Sequence, residues 1–428
     1  MVKVTIIGDI LADIECCDGC TNVYPGGSGL VAWHMASLGH STTLVTSTCG
    51  DALSDIVVES LRTRGVVVIE LPDETHERLP SRIRLHKNEK FRMSRIGAWD
   101  KGVNSSRIRL DIDDDSRFVV YSYYGAGVSQ TVELVKNIHA YTIVDPHKCT
   151  WEFPESELAI PSGTDLGISY KQVLSAPKSY LRKALKRCNT QAIALTYGNQ
   201  GLFYYDMRCC FPVYMYYSEA RIRDSSGCGD LFLSNLVADV DKMVDTYDLV
   251  RDAVISTNAQ LNKNKYARPG VGNCRCRSED QETKDYSDAS LLKLERVAVA
   301  GCFDCLHDGH ISLLRRAKRL SHWVLVVLDD DSRISRTKGT SRPIVGLSKR
   351  IAALRQTGLV NEVEVMSDDT SLDDILTRHS IDLLVKGSEY RSGFREWETL
   401  KDNWEVLAVE SFSQTRTTNL LHEKMRSK

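Results

Sequence analysis

VAVAGCFDCLHDGHISLL, residues 297–314, is the stretch on which the reading of this chain turns. It opens as a short apolar run closed by Gly301, the pattern of a buried strand, continues through a tight turn, and predicts a helix beginning close to His310. In parallel α/β sheets, ligands lie beyond the carboxyl ends of strands, where helix N-termini offer free backbone N–H groups to phosphate. The turn carrying Cys302, Phe303 and Gly309 falls at such a place, and Gly309 permits close backbone approach. His307 and His310, three residues apart, reach one side of a bound triphosphate as the chain enters the helix. Two imidazoles can donate hydrogen bonds to the charge that develops on transferring phosphoryl oxygens. On spacing alone the pair also reads as two surface histidines at a helix start, or as a metal pair.

Working outward, the same alternation of strand and helix fills the rest of the second half. RVAVAG, WVLVVL, EVEVM, DLLVKG and EVLAVES read as strands; ISLLRRAKRL, SKRIAALRQ and LDDILTRH read as the helices between them. This is a doubly wound, Rossmann-like unit over residues 291–428. Upstream, residues 263–290 are rich in Lys, Asn, Arg, Gly, Asp and Ser without hydrophobic period, and read as a linker with a short helix near LLKLE. Before it, residues 1–262 alternate again: strands VTIIGD, TTLVTST, FVVYSYYG, YTIVDP and QAIALTYG, helices GLVAWHMASLG, SDIVVESLRTRG, VELVKNIH, LRKALKRC and YDLVRDAVISTNAQLNK. The shorter polar pieces from Arg78 to Met93 predict a small antiparallel flap. Two independent α/β domains imply that a cut in the linker releases two folded pieces.

Bulk properties agree with this division. A chain of 428 residues with 42% hydrophobic content is long enough for two or three separate cores. The formal charge of -2 gives no broad basic footprint, which argues against nucleic acid and anionic membrane and leaves small anionic ligands open. The start, MVKVTIIGDI, reaches Gly8 and Asp9 too soon for a signal peptide, so a cytoplasmic location is expected. Thirteen cysteines are then read as reduced thiols; the clusters Cys16-Cys17-Cys20, Cys209-Cys210 and Cys274-Cys276 lack a finger spacing for zinc.

GCFDCLHDGHISLL resembles the signature of the nucleotidyltransferase superfamily that includes cytidylyltransferases and heptose-phosphate adenylyltransferases. The resemblance continues, in order, through SRTKGTSRPI with Lys338 and the Arg342-Pro343 step, the Lys349-Arg350 pair, LLVKGSEY, and RTTNLL from Arg416. It implies that His307 and His310 are catalytic and that Lys338, placed on a loop after a strand, is a mobile charge for triphosphate oxygens. Arg416, Thr417 and Thr418 would open the last helix and hold the β- and γ-phosphates, or serve as an ordinary N-cap. Asp304 either faces a sugar or a magnesium ion, or stabilises the turn.

The first 262 residues resemble the ribokinase-type (PfkB) sugar kinases. DSSGCGD at 224–230 is the strongest match: Gly227, Cys228 and Gly229 present successive N–H groups as an anion hole, and Asp230 accepts the proton of the attacking hydroxyl. PGGSGLVAWHMASLG carries Gly26 and Gly27, which with Asp9 and Asp13 are the sugar-binding candidates; TYGNQG, with Gly198 and Gly201, resembles the loop near the nucleotide. Each of these glycines also fits a plain tight turn. Leu30 stands where the family carries an asparagine, and the family's NxxE segment, which supports magnesium and phosphates after a mid-domain strand, is read here as SYKQ, with Ser169 and Gln172. The domain order is that of the bifunctional heptose kinase/adenylyltransferase family. The resemblance implies a ribokinase-like three-layer domain with a β flap fused to a Rossmann-like nucleotidyltransferase, using ATP and Mg2+ on a sugar phosphate, with a homodimer open. The rival is a polyol- or sugar-phosphate cytidylyltransferase with a non-catalytic kinase-like domain.

Overall fold

The computed structural model describes residues 2–17, 20–72, 79, 81–87, 90–96, 108–110, 116–124, 132–134, 140–147, 153–216, 227–237, 245–264 and 293–411. The chain begins with β1 (Lys3–Gly8), β2 (Ile10–Cys17), β3 (Cys20–Gly27), α1 (Ser28–Ser37), β4 (Ser41–Thr48), α2 (Ala52–Thr63) and β5 (Val67–Pro72). There follow β6 (Ser81–Lys87), β7 (Lys90–Ile96), β8 (Ile108–Leu110), β9 (Phe118–Tyr123), β10 (Val132–Leu134), β11 (Tyr141–Pro146) and β12 (Ser156–Ala159). Next come α3 (Gly163–Leu166), α4 (Tyr170–Ser175), α5 (Pro177–Arg187), β13 (Thr190–Thr196), β14 (Leu202–Asp206), β15 (Val213–Met215), α6 (Cys228–Leu236) and α7 (Thr246–Asn264). The last stretch holds β16 (Leu294–Gly301), α8 (Asp308–Leu320), β17 (Ser321–Asp329), α9 (Asp331–Lys338), α10 (Leu347–Gln356), β18 (Glu362–Met366), α11 (Leu372–Arg378), β19 (Leu383–Gly387), α12 (Trp397–Leu400) and β20 (Val406–Val409). None of the helices among the described residues is long and apolar enough to cross a membrane.

Two compact units emerge. The first comprises residues 1–167, 184–199 and 217–285, the second residues 168–183, 200–216 and 286–428. In the first unit the strands run β13-β12-β11-β9-β1-β4-β5. All six pairings are parallel, which is why β1 and β9 are buried along nearly their whole length instead of alternating. The flap is larger than the sequence suggested: β2 and β3 join β6 and β7 in the order β3-β2-β6-β7, so the flap recruits the stretch around Asp13 and Gly26. VELVKNIH was expected to be helical, yet Val132–Leu134 pairs in parallel with Ile108–Leu110 as strand; a three-residue apolar-polar-apolar step satisfies either period, and the pairing partner decides.

In the second unit the order is β18-β17-β16-β19-β20-β15-β14. The strands from residues 294–409 are parallel, and β15 continues them by pairing in parallel with β20, Val213 opposite Ala408 and Tyr214 opposite Val409. Residues 168–183 and 200–216 thus cluster with the C-terminal sequence, and the compact units do not divide at one point in the chain. Phe211, 1% exposed, packs against Trp397 and Phe394 with ring centroids 5.0 and 5.9 Å away. LLKLE contributes its last two residues to β16 rather than to a helix. The rest of the interval 263–290, beyond the end of α7, lies outside the described residues.

Candidate active sites

The turn after β16 is held by buried side chains. Arg350, 1% exposed, donates from Nη1 to the carbonyls of Cys302 (2.7 Å) and Asp329 (2.9 Å), from Nε to Val345 (3.0 Å) and from Nη2 to Asp331 (2.6 Å). One guanidinium therefore ties together the ends of β16 and β17 and the entry to α10. Lys386, from LLVKGSEY and 6% exposed, donates to the Ala300 carbonyl at 2.9 Å, with its ammonium over the Tyr390 and Phe394 rings. Asp304 resolves to the turn-stabilising option: it accepts from Arg342 Nη1 at 2.7 Å and from the Ile344 and Val345 N–H groups at 3.0 Å. Burial pushes its pKa up, but the Val345 N–H, the Arg342 guanidinium and the Ile344 N–H outweigh that and hold the carboxyl below its usual range.

α8 begins at Asp308, two residues before the expected start, because His307 is itself the N-cap: its Nδ1 accepts from the Gly309 N–H at 3.1 Å. That acceptor role leaves the imidazole proton on Nε2. The His310 ring stacks on His307 with centroids 3.8 Å apart and lies 5.0 Å from the Phe303 ring. Desolvation, then the neighbouring His307 and Lys338, push the His310 pKa down to about 3, and desolvation lowers that of His307 against the pull of Asp308 and Glu389. Both rings are neutral donors at pH 7. Lys338 is the last residue of α9, before Gly339 at φ 97, and not on a loop: Asp330 caps the helix by accepting from the Arg333 N–H at 2.7 Å, and the Asp329–Arg333 pair reinforces its first turn. Burial alone would lower the Lys338 pKa, but Cys302 and Tyr390 raise it, while burial keeps Cys302 a thiol. The described geometry thus assembles His307, His310, Cys302, Phe303 and Lys338 at one strand end. Arg416, Thr417 and Thr418 lie outside the described residues.

In the first unit, Gly227 at φ 82 is the N-cap of α6, so Cys228, Gly229 and Asp230 form its first turn, with their N–H groups among those a helix leaves unpaired at its start. A side chain at 227 would be strained in that left-handed conformation. Asp230 is 6% exposed and accepts a hydrogen bond from the Tyr124 phenol, Oη to Oδ1, at 2.6 Å. His147 follows β11 and sits 3.1 Å from Asp145 and 3.9 Å from Asp165. Burial would lower its pKa, but Asp145, Asp165 and Asp230 together raise it to about 9. Tyr124, Asp145, His147 and Asp165 were not singled out from the sequence; only the strand ends bring them to Asp230. Asp9 and Asp13 are buried at 2% and 1%, and the Asp9 carbonyl accepts from the Ser28 N–H at the start of α1. A Cβ at Gly27, φ 61, would lie 2.6 Å from that carbonyl, so this glycine is required by close approach. Leu30 is fully buried in the core. Gly198 opens the 3-10 turn after β13 and Gly201 follows it, both at positive φ.

SYKQ does not directly follow the mid-domain strand. Ser169 and Gln172 form a capping box on α4, with Ser169 N–H to Gln172 Oε1 at 2.8 Å. The stretch that directly follows the mid-domain strand β12 is Ser162–Asp165, and there the fourth position keeps a carboxylate.

Residues 298–424 match the cytidylyltransferase-like family. Over 433 aligned residues the chain is 24% identical to the bifunctional protein HldE of Campylobacter fetus subsp. fetus, covering 91% of this chain and 93% of the relative. It is 26% identical to the HldE of Streptomyces coelicolor, covering 92% and 86%. A ribokinase from Thermotoga maritima superposes on 63% of this chain and 96% of its own at a TM-score of 0.44 and 14% identity, a likeness too loose to carry a functional argument. The family match and the alignments define a transferase that joins a kinase-type unit to a cytidylyltransferase-like nucleotidyltransferase unit. Over most of its length the chain is similar to the HldE bifunctional proteins.

Proposed function

We propose that the first unit phosphorylates the anomeric hydroxyl of a heptose 7-phosphate from ATP, and that the second transfers AMP from ATP to the resulting 1-phosphate to give an ADP-heptose and pyrophosphate. A separate phosphatase removes the 7-phosphate between the two steps. The supporting observation is that two helix starts carry reactive side chains: Asp230 behind Gly227–Gly229 at α6, and His307 with His310 at α8. In the first step the Gly227–Gly229 N–H groups receive the transferring phosphoryl group while Asp230 takes the hydroxyl proton. Asp9, Asp13, Gly26 and Gly27 are the proposed sugar contacts. In the second, the sugar phosphate attacks the α-phosphorus, the His307 and His310 N–H groups hold the developing charge, and Lys338 neutralises the departing pyrophosphate. Arg416, Thr417 and Thr418 complete the phosphate contacts.

Mg2+ neutralises phosphate charge at both sites and would enter on the nucleotide, held mainly by phosphate oxygens and water. Asp165, in the position of the family's magnesium-supporting glutamate, is the carboxylate suited to it. Alignment of relatives across both halves of the chain gives the vestigial-kinase alternative no support. The proposed division is a kinase part within residues 1–262, a linker at 263–290 and a transferase part at 291–428 that residues 168–183 and 200–216 complete, in a cytoplasmic protein with a homodimer open. Incubation with heptose 7-phosphate and each NTP in turn, reading ADP and pyrophosphate separately, tests the proposal. Pyrophosphate release with CTP but not ATP, or no ADP with any heptose phosphate, overturns it.

A further inference from the structure

Tyr124 stands one residue beyond β9, and His147 one residue beyond β11. The two strands pair in parallel up to Tyr123 opposite Pro146, and the ladder is extended by the His147 N–H donating to the Tyr123 carbonyl at 2.9 Å. Register therefore makes Tyr124 and His147 neighbours, and their rings meet at 4.1 Å between centroids with 34° between planes. His147 is in turn held by Asp145 at 3.1 Å. The phenol that reaches Asp230 Oδ1 thus comes from a ring held on one side by a tilted imidazole and at its backbone by the sheet. Its partner carboxylate is 106 residues away in sequence, on the first turn of α6.

We infer that Tyr124 is a positioning residue of the kinase: its hydrogen bond fixes the rotation of the Asp230 carboxylate and so presents that group to the sugar hydroxyl. The inference rests on Asp230 being the proton acceptor of the proposed reaction. In that step the sugar oxygen forms a bond to the γ-phosphorus, the bond from phosphorus to the ADP oxygen breaks, and the hydroxyl proton passes to Asp230. The phenol keeps its own proton throughout. A hydrogen bond to a charged group is strong enough that losing its orientation lowers turnover by about ten- to hundredfold.

Tyr124→Phe in the full chain keeps the ring and its contact with His147 and removes only the donor. The expected result is that loss in kcat for sugar phosphorylation, with KM for ATP and for the sugar phosphate within about twofold of wild type, melting temperature unchanged and nucleotidyl transfer unchanged. A hydrogen bond that served stability alone would lower the melting temperature and leave kcat. Asp230→Asn is run beside it. If Asp230→Asn is inactive and Tyr124→Phe turns over at the wild-type rate, the hydrogen bond is a resting contact that substrate displaces and the inference fails alone. If wild type does not phosphorylate, or Asp230→Asn still does, the assignment of Asp230 fails and the inference with it.

Discussion

Separating residues 291–428 from the rest of the chain removes β15, and with it the strand that covers β20. The intact second unit has the Ala408 N–H donating to the Pro212 carbonyl at 2.8 Å and the Glu410 N–H to that of Tyr214 at 2.9 Å, and Phe211 lies over Trp397 and Phe394. Returning a large apolar side chain to water costs about 1.5–3 kcal/mol. With Trp397, Phe394 and one residue of the β20 face uncovered, the loss is roughly 5–9 kcal/mol, comparable to the whole stability of an ordinary domain. An unpaired β20 is in addition an edge open to association. Expressed alone, residues 291–428 are therefore expected to be aggregated or molten, with little pyrophosphate release from added sugar 1-phosphate. A full chain nicked between 263 and 290 is expected to elute as one species with transfer intact, because residues 200–216 still supply β14 and β15. Size-exclusion chromatography, thermal melting by circular dichroism and the pyrophosphate assay, run on both preparations, decide it. A monomeric 291–428 fragment that melts cooperatively and transfers at the full-length rate refutes the reasoning.

His307→Ala and His310→Ala are each expected to abolish nucleotidyl transfer and leave sugar phosphorylation at the wild-type rate; near-normal pyrophosphate release by both would remove the assignment. Asp230→Asn is expected to do the converse, ending phosphorylation while transfer onto a supplied sugar 1-phosphate continues. His310 also gives a pH prediction. Its folded pKa of about 3 lies below its ordinary 6.5, so the unfolded chain binds the extra proton; the stabilisation is complete above pH 6.5 and is lost as pH falls from there towards 3. Between pH 7.5 and 5.0 the melting temperature of wild type should therefore fall more than that of His310→Asn, and equal slopes would contradict the assigned pKa.

Much of this was legible because the decisive signals are local. Val297–Ala300 closed by Gly301 is a strand by composition, and both phosphate turns were placed by the glycines and the reactive side chains that follow them. What escaped depends on partners far away in sequence. In the sequence the Lys349-Arg350 pair is part of the signature without a role, and only the carbonyls of Cys302 and Asp329 make Arg350 a buried clamp. Lys338 looked like a loop residue because a helix of eight residues, capped by Asp330, is too short for its period to show. Tyr124 and His147 end apolar runs and carry no motif; strand register alone brings them together.

The two capping boxes show where local reading reaches its limit. Ser162-x-x-Asp165 and Ser169-x-x-Gln172 make the same reciprocal bonds: the Asp165 N–H reaches Ser162 Oγ at 3.1 Å, and the Gln172 N–H reaches Ser169 Oγ at 3.3 Å. Both are helix starts with the same capping pattern, so residue type and spacing cannot choose between them. The sheet can: β12 pairs with β13, the ladder runs on to an isolated bridge between Ser162 and Thr196, and the Thr196 N–H donates to the Pro161 carbonyl at 2.9 Å. Ser162 is therefore fixed at a strand end, and Asp165 lies 3.9 Å from the His147 ring that faces Asp230. Asp165, four residues before Ser169, thus offers the first unit a carboxylate at the strand end where the proposed reaction calls for one. Asp165→Asn should then impair phosphorylation far more than Gln172→Ala, whose side chain only caps α4. ADP release by the two variants across a Mg2+ titration measures the difference, and equal losses would return the segment to its local, helix-capping role.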